Sequence, residues 1–163
     1  MKLTIPFPTT QPLPVINALI LIDGKFPLLR RHKGADSWWD LPGGKPDSTQ
    51  ESYADTILRE LDEELGIKAC VLSDKPAATT PHPYIPGGKK VFMLCGHVSG
   101  QAHNALPEEH DELKLVDGAE AVALLGNRIT PEVAQAMLDF EKSSQQTRSA
   151  PAPRATGPRP SPL

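Results

Sequence analysis

Several things are scarce in this chain of 163 residues. Nowhere do 18 apolar residues follow one another, so no membrane-spanning helix is expected. The opening MKLTIPFPTTQPLPV lacks a basic start followed by an apolar stretch and does not read as a secretory signal. Cysteine is limited to Cys70 and Cys95, with no CxxC, which argues against a zinc site. Both lie in apolar, strand-like runs and read as buried thiols of a cytoplasmic protein. Aromatic residues are few, with two Trp, two Tyr and four Phe. No internal repeat is visible.

Acid is missing from residues 142–163, which carry Lys142, Arg148, Arg154 and Arg159. Without those four charges the net −3 of the whole chain becomes −7 for the remainder. A body that acidic lacks the basic stripe that nucleic acid requires. If it handles phosphates, divalent cations should bridge the charge.

Three segments follow from punctuation and pattern. Residues 1–14 hold four prolines and form an irregular lead-in; 15–140 form one α/β domain with a mixed β-sheet; 141–163 hold five prolines and read as a basic, disordered tail. Within the domain, VINALILID is a strand, and Asp23-Gly24 is a hairpin signal leading to KFPLLRRHK, where Pro27 marks an edge or a bulge. GADSWWDLPGG reads as a loop. IKACVLSD, GKKVFMLCGHVSG and DELKLVD read as strands, and the proline-rich KPAATTPHPYIPGG between the first two reads as a long loop. GAEAVALLG is one or two helical turns. Thr130 caps a last helix that starts at Pro131 and ends near Phe140.

The informative stretch is LPGGKPDSTQESYADTILRELDEELGI, Leu41 to Ile67. Ser52 is an N-cap with Asp55 three residues on, and Gly66 ends a helix of about 52–65. On a 3.6-residue turn, Ala54, Ile57, Leu58, Leu61 and Leu65 form the buried face. Glu60, Glu63 and Glu64 fall together beside it, while Asp55 and Asp62 point elsewhere. Neighbouring like charges destabilise a helix by about 0.2–0.5 kcal/mol per pair, and the last turn disfavours anions. Such a cluster is either a solvated acidic face or a site for a hard cation. Gly43-Gly44 before it lets backbone approach a ligand, and Arg59 can fork onto Glu51 or Glu63.

The stretch resembles the Nudix box, G-x5-E-x7-R-E-U-x-E-E-x-G-U with U aliphatic. Glu51, Arg59-Glu60-Leu61, Glu63-Glu64 and Gly66-Ile67 match it, with six residues in place of five between Gly44 and Glu51. The resemblance implies an α/β/α Nudix sandwich. It also implies Mg²⁺-dependent hydrolysis, with Mn²⁺ as substitute, of a nucleoside diphosphate linked to another moiety: a nucleoside triphosphate, ADP-ribose or a dinucleoside polyphosphate.

By position in that pattern, Glu60, Glu63 and Glu64 are metal ligands, Gly43 offers a carbonyl, and Arg59 orients the carboxylates. Gly44 and Glu51 support the site. Glu112, at the start of the last strand, resembles the distant acid that completes it. The general base is a box glutamate or one from the loop PEEHDELKLV, whose His110 reads as a solvated histidine.

For substrate contacts the candidates are Trp38, Tyr84 and Asn127, together with one of the adjacent Arg30 and Arg31 for phosphate, Arg30 first, with Trp39 assigned to the core. Pro81, Pro83 and Tyr84 do not choose between ADP-ribose and dinucleoside polyphosphates. The expected partner is a small nucleotide, with neither membrane nor clear nucleic acid, and a homodimer is left open. A non-catalytic nucleotide-sensing module, an RNA 5′-pyrophosphohydrolase and an isomerase of isoprenoid diphosphates are the competing readings.

Overall fold

The computed structural model describes residues 12–149, so the lead-in expected at 1–14 lies mostly outside the described residues, as does the tail from 150. In chain order the strands are β1 (Val15–Leu21), β2 (Phe26–Lys33), β3 (Asp36–Asp40), β4 (Gly43–Gly44), β5 (Lys68–Val71), β6 (Ala78–Pro81), β7 (Lys89–Ser99) and β8 (Glu112–Val116). The helices are α1 (Tyr53–Leu65), between β4 and β5, then α2 (Gly118–Leu125) and α3 (Pro131–Ser149) after β8, with a 3-10 turn at Gly126–Arg128 between them.

β1 and β7 lie parallel, Val15 opposite Lys90 and Leu21 opposite Gly96. Their central residues, Ala18–Leu21 of β1 and Val91–Cys95 of β7, are apolar because both faces of the sheet are covered there. Ile16, Ala18 and Ile20 of β1 meet Ile57, Leu61 and Leu65 of α1 on one face. Leu19 of β1 and Phe92 of β7 meet Ala121, Leu125, Val133 and Met137 of α2 and α3 on the other. β4 pairs antiparallel with the free edge of β1, and β5 and β6 pair antiparallel with β7 beyond it. The sheet is therefore mixed, with helices on both faces. A second, antiparallel sheet has the order β3-β2-β8.

The structure departs from the sequence reading at several places. Asp23 and Gly24 both have positive φ, as a tight hairpin turn requires. Yet pairing between the strands it joins stops at the Ile22–Lys25 bridge, and β1 and β2 then enter different sheets. Pro27 lies in the central strand of the smaller sheet, opposite Leu115, but β3 reaches only as far as Leu29. At Pro27 the other side of β2 is thus locally an edge, where a missing N–H costs no ladder bond.

GADSWWDLPGG is not all loop. Asp36–Asp40 is β3, paired with β2 through a two-residue turn at Gly34-Ala35. KPAATTPHPYIPGG contains β6, whose Thr79 and Thr80 suit an edge strand. α3 continues past Phe140 to Ser149, because nothing breaks the helix before Pro151. Cys95 is buried as expected, but Cys70 is exposed. On β5 it alternates with Ala69 and Val71, which pack against the core.

Candidate active site

α1 begins where Ser52 Oγ accepts from the N–H of Asp55, 3.0 Å away. It ends where Gly66, at φ 67°, donates its N–H to the carbonyl of Asp62. Ile57, Leu61 and Leu65 are fully buried, worth about 1.5–3 kcal/mol each. That outweighs the repulsion between neighbouring carboxylates, so the helix carries the acidic cluster without losing its fold.

The three glutamates sit at three depths. The Glu64 side chain is 1% exposed, Glu60 14% and Glu63 50%. Glu64 Oε1 accepts from the backbone N–H of Gly43 at 3.2 Å, and Arg31 Nη2 stands 3.9 Å from the same oxygen. Glu64 Oε2 is buried with no hydrogen-bond partner. Burial drives the Glu64 carboxyl far above the usual carboxylate range; Arg31 opposes this, and the neighbouring Glu60 adds to it. Burial also raises Glu60, against the pull of a shared hydrogen bond with Glu64 and of Arg59.

Arg59 organises the exposed side of this group. It forks onto Glu51, with Nη2 2.9 Å from Oε1 and Nε 3.2 Å from Oε2. It also donates to Glu60 Oε1 at 3.0 Å, Glu63 Oε2 at 3.3 Å and the Lys45 carbonyl at 3.1 Å. Glu51 in turn accepts from Thr56 Oγ1 and from the N–H of Asp47. The Arg59 fork first, then the Thr56 hydroxyl, hold the Glu51 carboxyl down at about 2. The longer loop between Gly44 and Glu51 is absorbed here, its Asp47 folded back to within 3.3 Å of Arg59 Nε.

The two glycines before the helix are held close on both sides. A Cβ on Gly43 would run into the Ile16 carbonyl, and one on Gly44 into the Glu60 carboxylate. It is the N–H of Gly43 that contacts the carboxylate group.

These residues fit a divalent cation in donor type. Glu64 is a carboxylate buried with an unsatisfied oxygen, an arrangement that costs free energy unless a proton or a cation neutralises it. Among the described residues no three His, Cys, Asp or Glu side chains converge into an ion cage as they stand. Glu60 and Glu63 are turned to Arg59 instead.

Not every residue chosen from sequence joins the group. Arg31 and Trp38 are opposite each other in the β2–β3 ladder, as are Arg30 and Trp39, so the two pairs face opposite sides of the sheet. Arg31 and Trp38 line a cleft of about 790 Å³ with Asn17, Gly43, Gly44, Lys45 and Glu60. Arg30 does not. It forks onto Asp111 with two bonds of 2.8 Å and lies 5.8 Å from the Trp39 ring, which is partly buried against the core. Glu112 is the ladder partner of Arg30, and its carboxylate is 3.7 Å from Arg30 Nη1. It shares the Arg30 side, away from Arg31 and Glu64, so strand alternation removes it from the carboxylate group.

Tyr84 reaches the same cleft, its hydroxyl donating to Asn127 Oδ1 at 3.1 Å. His110 is a correction. It is fully buried, with Nε2 3.6 Å from Glu64 Oε2. Desolvation first, then Arg31, push it down to about 4. Arg31, Lys33 and Arg128 also belong to the cleft and were missed or left undecided by sequence reasoning. For Arg31 and Lys33 the period-2 spacing with Trp38 across the hairpin was the available signal.

The family model described as NUDIX domain matches residues 12–137. No curated protein matches the chain by sequence. Solved structures with the same fold include an ADP-ribose pyrophosphatase from Streptococcus suis, with 24% identity and a TM-score of 0.62 over 80% of this chain and 92% of that one. MutT from Methanosarcina mazei has 23% identity and a TM-score of 0.58 over 82% and 95%. An Ap4A hydrolase from C. elegans has 19% identity and a TM-score of 0.61 over 80% and 98%.

Proposed function

We propose that this chain, which belongs to the Nudix family, hydrolyses the pyrophosphate linkage of a nucleoside diphosphate joined to a second moiety. Glu60, Glu63 and Glu64 would hold Mg²⁺, with Mn²⁺ able to substitute. The observation that carries this is Glu64: a carboxylate buried to 1% exposure, with one oxygen unpartnered, behind a cleft walled by basic side chains.

When bound, the metal offsets charge on the phosphoryl oxygens and lowers the pKa of water. The remaining work falls to the chain. Arg31, Lys33 and Lys45 line the cleft and supply positive charge for the phosphates. Arg59, tied to Glu51, fixes the directions of Glu60 and Glu63. Glu63 is the most exposed of the three, and so the one open to take a proton from an attacking water. Gly43 steadies Glu64 through its N–H, and Gly44 leaves room for Glu60.

Substrates of the structural neighbours, ADP-ribose in one and Ap4A in another, share the nucleoside diphosphate unit. The test is a panel of nucleoside triphosphates, ADP-ribose, NADH and dinucleoside polyphosphates with Mg²⁺ and product identification. At least one should be cleaved within its pyrophosphate. Glu64→Gln and Glu63→Gln should each lower kcat/KM by about 100-fold or more. Binding of nucleotides with no turnover of any would overturn the enzyme reading in favour of a sensing module.

A further inference from the structure

The cleft is also lined by an arginine that the chemistry at Glu60 and Glu64 does not use. Arg128 ends the 3-10 turn, and its guanidinium carbon lies 4.4 Å from the Trp38 ring centroid and 4.8 Å from that of Tyr84. Two aromatic rings therefore contact one planar cation. The rings are held in turn, since Tyr84 donates to Asn127 and Trp38 belongs to the β2–β3 ladder. The Arg128 carbonyl is capped by the buried Lys90 at 3.5 Å. A guanidinium held over aromatic rings, with no carboxylate partner, has N–H donors to offer an acceptor. Arg128 has no carboxylate within ion-pair distance among the described residues.

The wall around it is rich in donors and short of acceptors. Trp38 Nε1 and Arg31 Nε are both buried without a hydrogen-bond partner, and these two residues are ladder neighbours lining the cleft. The acids that line the cleft are already engaged: Asp40 with Lys90 at 3.6 Å, Asp47 with Arg59 at 3.3 Å, and Glu60 with Arg59 at 3.0 Å. Lys33, Lys45 and Arg128 have no such partner among the described residues, and the lining counts four cations, with Arg31, against the three acids, so the charge along the cleft is positive. A neutral ligand edge would leave that charge unanswered. A phosphate supplies the charge and several acceptors at once.

We infer that Arg128, held over Trp38 and Tyr84, is a receptor for a phosphate group of the substrate other than the two joined by the cleaved bond. This rests on the pyrophosphohydrolase reading and deepens it. The chain would favour substrates with an additional phosphate, either further along a polyphosphate or on the distal moiety, over those ending in a neutral sugar.

Calorimetry in Mg²⁺ tests this with methylene-bridged, non-hydrolysable ATP against methylene-bridged ADP, and with adenosine 3′,5′-bisphosphate against AMP, so that each pair differs by one phosphate. The wild type should bind the phosphate-richer member of at least one pair about tenfold or more tightly than the other. Arg128→Gln should remove that advantage, and Arg128→Lys should restore only part, since a lysine keeps charge but not the fork. The probe whose advantage is lost shows where the phosphate sits.

An advantage equal in wild type and Arg128→Gln, or none for either probe in the wild type, would overturn the inference. If Arg128→Gln does not fold, Trp38→Phe carries the test, and should narrow the advantage by removing the indole donor. Failure of the wild type to hydrolyse any nucleotide, with the phosphate advantage intact, would sink the hydrolase reading alone.

Discussion

Glu51 and Glu64 are both carboxylates of one short stretch, and their surroundings push them in opposite directions. Glu51 is held low, at about 2 against an ordinary 4.5, by Arg59 and Thr56. Its contribution to stability is complete above about pH 4.5 and is lost as pH falls through about 2. Glu51→Gln should therefore flatten the dependence of the urea midpoint on pH across that window. A mutant with the same acid slope as the wild type would show that the Arg59 fork is not retained in solution. The cysteines differ as sharply. Cys70 is exposed, whereas Cys95 is buried and raised to about 12, chiefly by desolvation. A thiol reagent should titrate one group in the native protein and two after denaturation.

At the scale of elements, the two glycines of β4 should answer differently to one extra methyl. At Gly43 the methyl meets the backbone of β1, which cannot step aside. Gly43→Ala should cost about 2 kcal/mol or more in unfolding free energy, read by denaturant titration. At Gly44 it meets the end of the Glu60 side chain, which can swing. Gly44→Ala should keep most of its stability and lose activity, because Glu60 is moved. Equal effects on both quantities at both positions would contradict this separation.

α1 was legible because its signals are local: Ser52, the apolar spacing from Ala54 to Leu65, and Gly66 all act within the helix or one turn beyond it. β3 was hidden because Asp36–Asp40 has the composition of a loop and becomes a strand only through its pairing with β2. β6 was hidden for a similar reason, as an edge strand among prolines. The box carboxylates could be placed on one helix face, but not at their depths, since burial of Glu64 depends on β4 and on His110 from a distant loop. Alternation along β2 required Arg30 and Arg31 to face opposite ways. Only the position of the second sheet decided which of them met the cleft.

For the whole molecule, a cation in the carboxylate group should act on stability as well as on rate. A ligand bound only by the native state adds about 2.7 kcal/mol at a concentration 100 times its dissociation constant. Saturating Mg²⁺ should raise the melting temperature by about 5 °C or more, and EDTA should reverse it. In Glu64→Gln the rise should shrink. An undiminished rise would place the ion elsewhere.

The parallel pairing of β1 with β7 has a consequence for how the chain is made. Val15 must find Lys90, and the whole of α1 lies between them in sequence. Closing so long a loop comes late in folding, because entropy is lost before contacts repay it. During synthesis the carboxylate helix leaves the ribosome well before the strand that completes its sheet. Until β7 arrives, Glu60, Glu63 and Glu64 are an ordinary solvated acidic helix, and the deep position of Glu64 does not yet exist.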